Sequence, residues 1–285
     1  MHPARRSRKS QTPNPQPKPN LNRKKAGAAQ SRAAEGSSEV GAKPDSSKAV
    51  LRSAGYVAPS RVVFLFDVDN TLLDNDQVTE DLRRHLEKEV GGERAKRYWD
   101  LFEQLRAELG YADYLGALQR YRIEYPHDVH LLTVSHFLIN YPFAARVYPG
   151  ALAAIEHVQR WGSVAILSDG DVVFQPRKVE RSGLRKAVAG RVLIYVHKEN
   201  ELADVERRHP ADHYVLVDDK LRILSAVKKS WGPRVTTAFV RQGHYALDPE
   251  IRAKYPAADL GFERIGEVAD YDFSRLVQSP VRAST

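Results

Sequence analysis

Five short apolar runs, at residues 62–66, 164–167, 192–196, 214–217 and 235–240, constrain the fold more than any other feature of this sequence. Strand side chains alternate between the two faces of a sheet, so a run with almost no polar interruption belongs to a strand covered on both faces. Helical patterns lie between the runs, at 151–161, 174–182, 202–208 and 221–231. Alternation of strand and helix predicts an α/β, Rossmann-like parallel sheet with helices on both faces. One segment breaks the pattern. Residues 75–148 contain no strand signal but four helical stretches, 78–90, 93–109, 114–121 and 129–139, punctuated by Gly91-Gly92, Gly110 and Pro126. Tyr148-Pro149-Gly150 then returns the chain to the alternating pattern.

The charge is distributed unevenly. The first 60 residues carry 12 Lys and Arg against 3 Asp and Glu, a net of +9 in a chain whose total is +8, so the remainder stands at −1. Residues 1–58, rich in Pro, Ser, Ala, Lys and Arg, hold too few large apolar side chains to offset the entropy of ordering them, and are expected to be a disordered basic tail. Such a tail is either a tether for nucleic acid or another acidic partner, or a solvated extension with no specific role, and the lack of interleaved aromatics favours the second. The expected organisation is therefore a tail at 1–58, an α/β core formed by 59–74 and 149–279, and an all-helical insertion at 75–148. No cysteine is present, which excludes disulfides and thiolate metal sites and suits a reducing, cytoplasmic setting. No apolar run approaches the roughly 18 residues of a membrane span. The basic N-terminus has no apolar core of the kind a secretory signal needs.

In parallel sheets, ligands bind beyond the carboxyl ends of the strands. The first run ends in Asp67-Val68-Asp69-Asn70-Thr71, the second in Ser168-Asp169-Gly170, and the fourth in Asp218-Asp219-Lys220. Two carboxylates two residues apart at a strand end can face one site, although Asp, Asn and Thr also favour ordinary turns and helix caps. Ser168 with the following backbone N–H groups makes either an anion cradle or a simple cap. Lys178, ten residues on, either reaches back over the site or stays solvated. Acids converging from two strands repel unless a cation joins them, and a hard cation such as Mg2+ suits carboxylate oxygens. Lys220 reads as a solvent-facing residue.

Taken in order, Asp67/Asp69/Thr71, Ser168, Lys178 and Asp218/Asp219 resemble the four motifs of the haloacid dehalogenase-like hydrolase superfamily. Val147-Tyr148-Pro149-Gly150, the stretch Gln175 to Leu184, Ala258-Asp259-Leu260 and Ile265-Gly266-Glu267-Val268 extend the resemblance over residues 61–270, and the helical insertion sits where that family places its C1 cap. The resemblance implies a phosphohydrolase acting on a small phosphorylated metabolite through an aspartyl-phosphate intermediate. It implies Asp67 as nucleophile and Asp69 as general acid/base. Ser168, Asp169 and Lys178 would hold phosphate, and Asp67, Asp69 (through its carbonyl), Asp218 and Asp219 would form the Mg2+ site. Relatives that cleave carbon–halogen bonds generally lack the second acid, so Asp69 points to an oxygen leaving group. Two features depart from the commonest pattern: the acids of the last motif are adjacent, and Asp169 and Asp171 flank the phosphate cradle.

Alternatives within the superfamily are a phosphomutase and a phosphonate-cleaving enzyme. The latter needs a cap lysine, and Lys88 and Lys96 are the lysines available in residues 75–148. From a different class comes a non-catalytic scaffold that binds nucleic acid through its basic tail. His244, after the last run, lies near the expected site without an assigned role.

Overall fold

A computed structural model describes residues 60–278; the expected disordered tail at 1–58 lies outside the described residues. Strand β1 (Ser60–Phe66) occupies the middle of a six-stranded, all-parallel sheet completed by β2 (Ser163–Asp169), β3 (Val192–Tyr195), β4 (Ala211–Asp218), β5 (Val235–Val240) and β6 (Leu260–Phe262). The strand order is β3-β2-β1-β4-β5-β6. Sequence order therefore reverses at β1, which pairs with β2 on one side and β4 on the other. Connections leave β1 in opposite directions from that point, opening a crevice beyond its carboxyl end. The register places Phe66 opposite both Ile166 and Val217, so the residues after these three strand positions converge on one place.

β1 shows why the sheet is covered on both faces. Val62, Phe64 and Phe66 enter one apolar core, while Val63 and Leu65 enter the other. The first core is packed by α5 (Ala151–Val158), α6 (Phe174–Arg181) and α7 (Leu184–Ala187), and the second by α8 (Leu202–Arg208) and α9 (Leu221–Trp231). The sequence reading found five of the six strands. It missed β6 because three residues, with Gly261 in the middle, form no apolar run; the strand exists through its pairing with the edge of β5. The helix expected at 151–161 ends at Val158, and the strand expected at 192–196 ends at Tyr195.

Between β1 and β2 the chain forms four α-helices: α1 (Asn75–Val90), α2 (Gly92–Leu109), α3 (Tyr114–Glu124) and α4 (Leu131–Asn140). Asp74 starts α1 by accepting a hydrogen bond from the Gln77 N–H, and Asp113 starts α3 by accepting one from Gly116. Gly110 ends α2 in the left-handed conformation (φ 78°), which glycine adopts without a Cβ penalty. Leu82, Leu86, Tyr98, Leu101, Tyr121 and Leu138 fill the space between these helices and join the core on their side of the sheet. Tyr98 and Tyr121 are packing residues, and the Tyr98 hydroxyl donates to the Tyr114 carbonyl at 2.9 Å. Arg94, Arg97 and Arg120 make ion pairs with Asp128, Glu124 and Glu108 at the surface.

The central strand carries the fold. Phe64 is fully buried and meets Phe273 edge-on, with ring centroids 5.1 Å apart. Phe64→Ala should lower the unfolding free energy by about 3–5 kcal/mol. Urea denaturation followed by tryptophan fluorescence measures this, and a loss below about 1 kcal/mol would show that the cavity collapses and the packing account is wrong.

Candidate functional site

β1 ends and the chain immediately folds back on itself. The N–H groups of Leu72 and Leu73 donate to the Val68 carbonyl, each at 2.9 Å, and Asn70 takes a left-handed conformation (φ 62°) that asparagine tolerates better than other non-glycine residues. The Asn70 side chain then organises the start of α1, accepting from the N–H groups of Asn75 and Asp76 and donating to the Asp76 carboxylate. Thr71 faces the neighbouring strand, where its hydroxyl accepts from the Asp219 N–H at 3.0 Å. This tight turn keeps Asp67 at the strand end, 2% exposed, while Asp69 emerges above it.

Asp67 lies beside Asp218 and Asp219 at the end of β4. Each offers a carboxylate oxygen, and the three oxygens lie within 4.8 Å of one another. All three residues are buried, so their mutual repulsion is little screened. Lys198 supplies a positive charge inside the cluster. It is 1% exposed, and its Nζ stands 2.5 Å from Asp67 Oδ1 and 2.7 Å from Asp218 Oδ2 while also donating to the Leu167 carbonyl. Burial alone would raise the Asp67 pKa, but Lys198 and Lys220 outweigh it and hold the carboxyl below its ordinary value. Asp219 has no such partner. Burial, together with the charges of Asp218 and Asp67, pushes its carboxyl well above the ordinary range despite Lys220.

Four oxygens of the cluster are buried without a hydrogen-bond partner: Asp67 Oδ2, Asp218 Oδ2, which is ion-paired with Lys198, and both oxygens of Asp219. Orphaned carboxylate oxygens in a buried site are what an absent cation leaves behind. Asp67, Asp218 and Asp219 thus fit a hard divalent cation, Asp218 being paired with Lys198 through Oδ2 and accepting the Lys220 N–H through Oδ1 at 2.8 Å.

The remaining expected site residues are brought to the same strand ends, with one correction. Ser168 lies at the end of β2: its hydroxyl is 3.4 Å from Asp67 Oδ1 and is fixed by the buried Gln175, whose amide donates to it at 3.0 Å. Asp169, expected to hold phosphate through the backbone after Ser168, turns its carboxylate to the Lys198 N–H, which it accepts at 2.7 Å. Asp171 likewise caps α6 through the N–H groups of Val173 and Phe174. The correction concerns Lys178. Its buried ammonium donates to both oxygens of Asp69, at 2.7 and 2.8 Å, and to Asn75 Oδ1 at 2.9 Å, so the lysine on Asp67 is Lys198 instead. Helix α6 rises from the β2 end toward the start of α1, which carries Lys178 past the strand ends; Lys198 follows β3 directly and stays level with them.

Above these groups is a cavity of about 620 Å³ between the helical insertion and the sheet. Asp69, Asp169, Lys178 and Lys220 line its floor side, and Trp99, Phe102, Tyr114 and Phe174 line a wall. Lys220, expected to face solvent, faces this cavity. His244 also lines it and joins the insertion to the core, its Nδ1 lying 2.6 Å from Asp76 Oδ1.

The sequence pattern of the haloacid dehalogenase-like hydrolases matches residues 62–229. A haloacid dehalogenase-like hydrolase from Burkholderia xenovorans is 62% identical, covers 75% of this chain and all of its own, and superposes with a TM-score of 0.73. This chain belongs to the haloacid dehalogenase-like hydrolases. More distant structures share the fold alone: a haloacid dehalogenase-like hydrolase from Xanthomonas campestris (15% identity, 76% of this chain and 93% of its own, TM-score 0.54) and a dehalogenase (19% identity, 78% and 100%, TM-score 0.52). No curated protein matches the sequence. Membership makes this an enzyme of hydrolase type and accounts for the parallel sheet with acids at the switch point. Among the described residues no helix is long and apolar enough to cross a membrane.

The acid cluster of this hydrolase generates a prediction. Folding raises the Asp219 pKa, so the protonated form favours the fold at low pH, and that contribution is lost as pH climbs through the folded-state value. At neutral pH, Asp219→Asn should therefore stabilise the metal-free chain by about 1–3 kcal/mol. The natural chain should melt higher with a divalent cation, and the substitution should abolish that rise. Thermal melts with magnesium and with chelator measure both effects. A variant that is less stable without metal, or that still responds to magnesium, contradicts the assignment of Asp219 to a cation.

Proposed function

We propose that this hydrolase is a magnesium-dependent phosphatase of a small phosphorylated metabolite, acting through an aspartyl-phosphate on Asp67. The observation that carries this reading is the buried Asp67, beside orphaned carboxylate oxygens and a serine hydroxyl, with a second acid, Asp69, facing the cavity above it. Asp67, Asp218 and Asp219, with the Asp69 carbonyl, would hold the cation. Bound there, magnesium supplies charge that lets a carboxylate approach a phosphate dianion.

The chain's own groups perform the remaining tasks. A carboxylate oxygen of Asp67 attacks phosphorus as the bond to the ester oxygen breaks, and Asp69 gives the departing oxygen its proton. Water then attacks the acyl phosphate, Asp69 takes a proton from it, and inorganic phosphate leaves with Asp67 restored. Ser168, fixed by Gln175, binds a phosphoryl oxygen. Lys198 offsets the charge on Asp67, the part the resemblance gave to Lys178. Lys178 holds Asp69 at the cavity floor and also donates to Asn75, the first residue of α1, so the position of the acid is tied to the helical insertion. The insertion acts as a cap that excludes water from the reaction. A reducing, cytoplasmic setting belongs to the same proposal and rests on the absence of cysteine.

Asp69 also argues against halide release, which needs no proton. Phosphonate cleavage through a cap lysine finds no suitable residue: the Lys88 and Lys96 side chains are 81% and 76% exposed, and neither lines the cavity.

Turnover of an aryl phosphate and of a panel of phosphorylated metabolites tests the reading. Activity should require magnesium, stop with chelator, and fall on the order of a thousandfold or more in Asp67→Asn. Absence of turnover across the panel, or full activity in Asp67→Asn, would overturn it.

A further inference from the structure

Three lysines converge on the strand ends, and their partners differ. Lys198 is spent on Asp67 and Asp218, and it does not line the cavity. Lys178 lines the cavity, but both oxygens of Asp69 and the Asn75 side chain occupy its ammonium. Lys220 lines the cavity and, among the described residues, has no carboxylate within ion-pairing distance of 4.0 Å. Its backbone is pinned at the start of α9, where its N–H donates to Asp218 Oδ1 at 2.8 Å, and its Nζ stands over the Tyr245 ring, 5.3 Å from the centroid. The ammonium is therefore held by an aromatic face, and its Nζ makes no hydrogen bond to another described residue.

The charge balance makes this lysine more than a neighbour of the acids. Asp169 lines the same cavity, and the acids at the adjoining strand ends are Asp67, Asp218 and Asp219. On the phosphatase reading, a divalent cation and Lys198 already neutralise those three carboxylates. Lys220 then keeps only the more distant charge of Asp169 and, with no acid within 4.0 Å among the described residues, faces the space a substrate enters. A partly desolvated ammonium without a counter-ion is costly, and an anionic ligand relieves that cost.

We propose that Lys220 is a substrate-binding residue whose ammonium takes a phosphoryl oxygen of the ligand in the cavity. The proposal rests on the phosphatase reading of the same site. It assigns the anion contact to the residue directly after the acid pair, a position the sequence reading gave to solvent, and it leaves Lys178 to the positioning of Asp69.

Inorganic phosphate is the probe, titrated calorimetrically into the full chain with magnesium present. The natural chain should bind it. Lys220→Met should weaken binding by about tenfold or more, as loss of a charge-assisted hydrogen bond does, and Lys220→Arg should restore most of the affinity. A measurement on the natural chain needs no substitution: saturating phosphate should protect Lys220 from acylation by acetic anhydride, read by peptide mass spectrometry. Equal phosphate affinity in natural and Lys220→Met chains, or acylation of Lys220 unaffected by bound phosphate, overturns the proposal and leaves the phosphatase reading standing. Failure of the natural chain to bind phosphate at all overturns both.

Discussion

Three carboxylates buried at the ends of two adjacent strands cannot coexist without positive charge, and much of this molecule is arranged to supply it. The strand order brings Asp67 beside Asp218 and Asp219, because β1 and β4 are neighbours at the point where sequence order reverses. The Thr71 hydroxyl ties the turn after β1 to the Asp219 backbone, so the two strand ends cannot drift apart. Lys198 arrives from β3 with its own backbone N–H held by Asp169. Each of these contacts sets the distance between like charges. The orphan oxygens on Asp67, Asp218 and Asp219 could hold a cation that adds to the charge of Lys198.

A second layer connects this cluster to the helical insertion. Lys178 on α6 links Asp69 to Asn75, and the Asn75 side chain lies 3.4 Å from the Tyr114 hydroxyl, which in turn meets Thr79 at 2.8 Å. Asp76 accepts from the His244 N–H after β5 and from Asn70 in the turn after β1. The first turn of α1 is thereby bonded to the core through side chains on both sides of the crevice. A displacement of α1 would disturb Asp69 before it reached Asp67, which sits below in a more rigid setting. The acid and the nucleophile are thus mounted differently: one on the junction with the insertion, the other on the central strand.

The architecture was legible in the sequence because parallel strands buried on both faces advertise themselves as apolar runs, and because acids following such runs mark the ligand end of the sheet. Asp67, Asp69, Ser168, Asp218 and Asp219 were placed at the strand ends in this way, and the structure brings them together there. Lys198 was not, since no family spacing was attached to it, but a signal existed: it lies three residues past Tyr195, at the end of another predicted run. Lys178 was misplaced for a related reason. Position on a helix shows that a lysine can reach a site without showing which acid it will meet. Asp169 turns its carboxylate to a backbone N–H while still lining the cavity, and Lys220, expected to face solvent, lines it too. Neither outcome follows from local sequence, because both depend on packing between β2, β3 and β4. The edge strand β6 was invisible, its three residues owing their conformation to β5.

The central claim is that Asp67 carries a phosphoryl group during turnover. The direct measurement is to react the full chain with an activated phosphate donor and magnesium, quench in acid, reduce with borohydride and map the product by peptide mass spectrometry. The account predicts conversion of Asp67 to homoserine, dependent on magnesium and on the donor, with Asp69, Asp218 and Asp219 unmodified. Modification of a different acid under the same conditions, or none at Asp67 in a chain that is turning over substrate, would contradict it.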